Sequence, residues 1–214
     1  MPHPSKIHQG MTRTLQRIGK HTQAGYYSVG GAYKDAKLQG PYKVETLETE
    51  DEIRYIFWNP IEPCISAVFY KDDKTAVIDT ISYSPMCTVD GKMEKGTGTR
   101  KMIQYCIDVL ESNGAKTISL QDNSNVICNG VNVSLGLMYL FKYGQTWYEK
   151  HFQFKPDRKY RAKYEGILAK LPRIDKPCDS FTDDVVDSLV KHYDLAFWYR
   201  IEWVRTTTSY VENE

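Results

Sequence analysis

The stretch with most to offer chemically is Gly96-Thr97-Gly98-Thr99, which opens an apolar-periodic run. A helix that starts directly after glycines turns several unpaired backbone N–H groups in one direction, and the helix dipole adds partial positive charge there. With no Cβ in the way, a phosphate or pyrophosphate can approach those amides closely. Lys95 and Arg100 flank the turn and can add charge-assisted contacts. Two known phosphate loops are tested by spelling. A P-loop needs a lysine after its second glycine; Gly91 and Gly96 have the spacing, but Thr97 stands where the lysine belongs. A dinucleotide loop needs a third glycine, and Lys101 occupies that place. Neither class fits.

Proton-moving groups lie on both sides of this turn. Asp79 is the acid within the strand before it, and Glu94 and Asp122 sit at loop ends. The chain holds 16 tyrosines, so any one of them is more often a packed ring than a catalyst. Cys128-Asn129-Gly130 lies in a loop with no histidine near it in sequence, which ranks thiol catalysis low. The run Arg158, Lys159, Arg161, Lys163 reads as one solvated helix face, with a phosphate-bearing partner or RNA as the minority reading.

The elements that must position these groups follow from periodicity. Tyr42–Leu47, Ile53–Trp58, Cys64–Tyr70 and Thr75–Tyr83 read as consecutive antiparallel strands, rich in β-branched and aromatic residues around short polar turns. After Gly98, Met102, Ile103, Cys106, Ile107 and Leu110 recur at helical spacing, and Asn113-Gly114 ends that helix. Lys116–Gln121 is a strand, and Asp122–Asn132 reads as a polar loop. Ser134 caps a helix running to Tyr143, and Thr146–Phe152 adds another turn or two. Beyond Lys155, prolines divide a tail with helices expected at Arg158–Leu171 and Thr182–Tyr193, and a strand at Phe197–Val204. The expected architecture is α/β (α+β): a central, mostly antiparallel mixed sheet flanked by helices, with a C-terminal helical and strand extension. The expected organisation is a mobile segment over 1–24, a domain over 25–155 and an extension over 156–214 packed on the same domain.

Composition bounds the function. The 28 Lys+Arg against 27 Asp+Glu leave a net charge of +1, so a dedicated nucleic-acid binder is not expected. No apolar run reaches bilayer length, so no membrane role is expected. The first residues are basic and polar without an apolar segment, and read as a mobile tail rather than a secretory signal. Five cysteines, odd in number and without a C-x-x-C pair, read as thiols of a reduced intracellular protein, with Cys64 and Cys106 buried. The five histidines are too scattered for a zinc site, and no metal is expected.

The order of hairpin, G-x-G, helix and strand resembles the GNAT-type N-acetyltransferase superfamily, whose coenzyme A pyrophosphate sits on a loop of pattern [RQ]-x-x-G-x-[GA]. Gly96 and Gly98 match its glycines, while Met93 stands where Arg or Gln is usual. Downstream, the family's N-x-x-A-x-x-L-Y-x-K-x-G-F helix has two registers here. Asn132 and Tyr139 match one; Trp147-Tyr148-Glu149-Lys150-His151-Phe152 carries the Y-x-K core of the other and is similar to GNAT-like proteins of large DNA viruses. The resemblance covers about residues 42–155.

It implies an acyl-CoA N-acyltransferase-like fold and an acetyl-CoA-dependent transfer to an amine. Backbone and side chains of Lys95, Gly96, Thr97, Gly98, Thr99, Arg100 and Asn132 would hold the coenzyme. A backbone N–H around Ile81 to Tyr83 would polarise the thioester, and Tyr148 or Tyr139 would protonate the departing sulfur, with Asp79 among the acids able to accept a proton. The alternative is a non-catalytic structural or interaction protein on the same fold, such as a viral assembly or virion component. It would use the aromatic C-terminal segment (Phe197, Trp198, Tyr199, Trp203) for a protein partner or a homo-oligomer. Either reading places the chain inside the cell, in the host cytoplasm if it is viral.

Overall fold

Alternation of buried and solvated residues sets the first half of the sheet. The computed structural model describes residues 34–39, 42–59, 62–82, 87 and 97–207. Strands β1 (Lys34–Gln39), β2 (Tyr42–Glu48), β3 (Glu52–Asn59), β4 (Glu62–Tyr70) and β5 (Thr75–Ile81) form an antiparallel meander. At the turn between β4 and β5, the Asp73 carboxylate accepts from the N–H and hydroxyl of Thr75 at 2.9 and 2.6 Å. Those bonds favour the charged form and hold its pKa below the usual carboxylate range.

Helix α1 (Thr97–Ser112) crosses over to β6 (Thr117–Gln121), which pairs parallel with β5. Its expected stripe, Met102, Ile103, Cys106, Ile107 and Leu110, is buried in the core. Gly114, at φ 90°, supplies the left-handed residue that ends the helix. Strands β7 (Asn125–Cys128) and β8 (Val131–Ser134) form a separate hairpin. Helices α2 (Leu135–Tyr143) and α3 (Trp147–Phe152) follow, capped by Ser134 and by the reciprocal box of Thr146 and Glu149. Next come β9 (Lys155–Pro156), α4 (Arg158–Leu168), α5 (Pro177–Ser180), α6 (Asp183–His192), a 3-10 turn (Leu195–Arg200) and β10 (Glu202–Thr206).

The main sheet runs β1-β2-β3-β4-β5-β6-β10-β9, eight strands in which only the β5–β6 pair is parallel. The fold is α/β with a mixed, mostly antiparallel sheet flanked by helices. The last strand lies inside the sheet, between β6 and β9. Arg205 ties it down, donating to Glu111 of α1 at 2.9 and 3.1 Å and to the Phe152 carbonyl of α3 at 2.7 Å.

Four expectations need correction. Asp122–Asn132 is a loop only at its start, because Asn129 and Gly130, at φ 50° and 82°, make a two-residue hairpin turn. Phe197–Val204 is not one strand. Its first half winds into the 3-10 turn, which brings the Trp198 indole N–H to the Ser134 hydroxyl at 3.2 Å; the strand starts at Glu202. The aromatic segment is spent inside the chain: Phe197, Trp198 and Trp203 are buried, with Trp198 and Trp203 ring centroids 5.7 Å apart. Those three rings therefore offer no partner surface. Finally, Cys64 is not a free thiol. Disulfides join Cys64 to Cys87 and Cys128 to Cys178, leaving Cys106 as a buried free thiol whose pKa burial pushes up. The segments 1–24 and 26–33, and Tyr83, Lys95 and Gly96, lie outside the described residues.

Candidate functional site

The site forms where the parallel ladder ends. Pairing runs from Thr75 with Thr117 to Ile78 with Leu120 and then stops. On the other edge of β5, Ser66 faces Thr80 while Ala67 faces Ile78, so Asp79 is the extra residue of a β-bulge. A bulge bends its strand and increases the local twist. Beyond it, Thr80 and Ile81 stay paired to β4 and have no partner on β6 among the described residues. The β5–β6 ladder thus ends before Thr80 and Ile81, which keep their pairing to β4 alone among the described residues.

Helix α1 aims its first turn at the same end. The Lys116 N–H donates to the Lys74 carbonyl at 2.7 Å, which fixes the helix exit beside the start of the ladder. Sixteen residues rise about 24 Å, which carries the N-terminal turn past the end of a ladder only about 10 Å long. Thr97, Gly98, Thr99 and Arg100 make up that turn, which carries no acidic residue to compete for an anion. Arg100 is exposed. It lies close enough to His151 of α3 that, after burial, its charge is the next cause lowering the His151 pKa, with Lys150 adding to it.

Two buried titratable groups stand at the β6 side. Asp122 directly follows β6 and is 6% exposed. Its Oδ1 accepts the Ser124 N–H at 3.1 Å and, over a shorter bond, the Ser124 hydroxyl. No Lys, Arg or His pairs with it among the described residues, and burial raises its pKa despite the Ser124 hydrogen bonds. Its other oxygen packs on Gly136 in the first turn of α2, where a Cβ would sit 2.8 Å from Oδ2 and 3.0 Å from the Trp198 ring. Only a glycine leaves room there. Tyr148 of α3 is 7% exposed, and burial first, Asp122 second, raise its pKa. A phenol in that setting resists becoming a phenolate and works as a hydrogen-bond donor.

The expected site residues therefore divide. Thr97, Gly98, Thr99, Arg100, Ile81 and Tyr148 belong to elements that meet at the ladder's end. Asp79 sits in the bulge but turns to the exposed Arg54, 3.1 Å away, in a solvated ion pair. Tyr139 is half-buried on α2 and stacks on Tyr143 at 5.1 Å; burial and Tyr143 raise its pKa. Asn132 is exposed on the β7–β8 hairpin, opposite Ile127. Of the two tyrosines, Tyr148 is the one whose pKa Asp122 helps to raise.

Asp122 is the group that sequence reasoning placed at a loop end without a role. Gly136, against its carboxylate, and Trp198, over Gly136, carried no signal, because they meet only through the fold. No family model, curated protein or solved structure matches the chain.

Proposed function

We propose that the chain is an acetyl-CoA-dependent N-acetyltransferase on an acyl-CoA N-acyltransferase-like fold, with an amine as acceptor. The observation that supports this reading is the early end of the β5–β6 pairing, at Ile78 and Leu120, beside the Asp79 bulge. We take the two strands to part beyond it, leaving a gap. A diphosphate suits that turn, since its amides and Arg100 are complementary to an anion and no first-turn acid repels it.

The chain's own groups then take these parts. The amides of Thr97 to Thr99, with Arg100, bind the diphosphate end of the substrate. Thr80 or Ile81 donates a backbone N–H to the thioester oxygen as charge develops there. Tyr148 offers its hydroxyl as a hydrogen bond to the departing sulfur, whose proton comes from water, and burial raises the pKa of the neighbouring Asp122 carboxyl. The acceptor amine loses its proton to water or to a carboxylate at the mouth of the gap.

Calorimetry with acetyl-CoA tests the reading. Binding is expected, with Arg100→Ala weakening it about tenfold and Tyr148→Phe leaving it intact while abolishing thiol release in the presence of amines. An absence of heat and of any thermal shift at millimolar acetyl-CoA would remove the enzyme.

A second reading, a non-catalytic interaction module of viral assembly on the same scaffold, draws on one specific feature. The cavity described among these residues lies in the C-terminal segment, lined by α4 and the end of α6, and shares no lining residue with the gap. The intracellular placement is likewise a proposal. Two disulfides are commonest in oxidising surroundings, so a count of free thiols in freshly isolated protein tests it: one thiol agrees with the structure, five with a reduced chain.

A further inference from the structure

The α4 basic run has no part in acyl transfer, yet one of its lysines lines a cavity of about 540 Å³ at the end of α6. That volume falls within the range of small-molecule sites, about 300–1,000 Å³. Lys163 and Gly166 come from α4 and Lys170 from the turn just after it, and His192, Tyr193 and Asp194 form the opposite wall. A Cβ built on Gly166 would meet nothing within 4 Å, so the α4 wall is open above it.

The cations here are of two kinds. Lys163 is held in place, 2.6 Å from the Asp194 carboxylate and 4.5 Å from the Phe197 ring centroid. Lys170 lies seven residues further along, in the turn past the end of α4, and has no ion pair among the described residues. His192 adds ring N–H capacity, and its ring packs edge-on against Tyr193 at 4.6 Å. The last turn of α6 does not counter this, because the Tyr193 N–H already caps the Leu189 and Lys191 carbonyls. Two cations and one carboxylate leave the lining positive, with an aromatic ring beside it.

We propose that this groove binds a small phosphate-bearing ligand of mononucleotide size, its phosphate between Lys170 and Lys163 and its ring against Tyr193. Asp194 competes with the phosphate for Lys163, so removing that carboxylate strengthens binding. This is the opposite sign to what a merely structural ion pair would give.

The test is calorimetry on the full chain at low ionic strength, with adenosine 5′-monophosphate and inorganic phosphate as probes. The nucleotide is expected to bind more tightly than phosphate. Lys170→Ala should weaken it about tenfold, the scale of one charge-assisted contact, and Asp194→Asn should tighten it several-fold. Both side chains are exposed, so both variants should fold, and a melting curve checks that. No heat with either probe overturns the proposal, as does nucleotide binding no tighter than phosphate or indifferent to Lys170→Ala. Binding lost in Arg100→Ala but kept in Lys170→Ala assigns the anion to the first turn of α1, which removes the groove site and leaves the acyltransferase reading standing.

Discussion

Asp79 and Asp122 stand on the two sides of one ladder end and share almost nothing else. Asp79, in the β5 bulge, is 41% exposed and paired with Arg54 in water. Asp122, one residue past β6, is 6% exposed and held by Ser124 with no cation. The β5 side belongs to an antiparallel meander whose charged residues face solvent and pair across strands. The β6 side is roofed by α2, α3 and the returning C-terminal segment, whose Trp198 closes over Gly136. The same residue type is thus a solvated ion-pair partner on one side and, on the other, a buried carboxyl whose pKa burial raises. Burial makes the difference, and part of it on the β6 side is supplied by Trp198, far from Asp122 in sequence.

The strongest way to break the contrast is to remove the roof. Trp198→Ala takes away a ring that is 2% exposed and its bond to Ser134, and should cost about 3–5 kcal/mol by urea unfolding. It should also open Asp122 to water. If Trp198→Ala unfolds at the wild-type midpoint, the segment is not what buries Asp122. Gly136→Ala works from below. In an open helix the change would stabilise, but here the new methyl meets the Asp122 carboxyl and the Trp198 ring at 2.8 and 3.0 Å. The expected result is a net loss of about 1–3 kcal/mol, and a stabilised Gly136→Ala would mean that the cluster yields easily.

These partners explain what the sequence could and could not disclose. The meander, α1 and its Gly114 stop were legible because alternation, helical spacing and turn residues are local. The Asn129-Gly130 turn was legible too, since Asn-Gly between β-branched residues is a strong hairpin signal; the polarity around it hid the strands. The parallel ladder's early end was not legible, because a bulge of one residue at Asp79 changes pairing without changing composition. Nor were the Cys64–Cys87 and Cys128–Cys178 bonds, whose spacings of 23 and 50 residues carry no pattern. The start of α1 at Thr97 could be read from the glycines around it. The buried acid could not, since nothing around Asp122 in sequence says that Trp198 will cover it.

Asp122 also carries a pH signature of definite sign. Its folded pKa is raised above the unfolded value, so between the two the folded chain holds a proton that the unfolded chain has released. Stability from this group is therefore fully present below the unfolded carboxylate pKa and declines as pH rises from about 4 toward the folded value. The slope for one proton is at most about 1.4 kcal/mol per pH unit. Asp122→Asn should flatten that decline while keeping the shape of the cluster. Parallel stability curves for wild type and Asp122→Asn from pH 4 upward would show that Asp122 is ionised and solvated, like its counterpart.

Asp79→Asn makes the complementary and smallest change. The pair it breaks with Arg54 has both partners about two-fifths exposed, so solvent screens most of its attraction and the loss should stay under about 1 kcal/mol. That loss should shrink further as salt is added, which is how a surface pair behaves and a buried one does not. It should also leave the bulge in place, because the extra residue is held by the backbone pairing of Ser66 with Thr80 and Ala67 with Ile78 rather than by the carboxylate. If acetyl-CoA turnover is found, Asp79→Asn should retain most of it while Tyr148→Phe does not. The reverse ranking would move the working group from the covered side of the ladder to the open one, and with it the reading that burial selects the group.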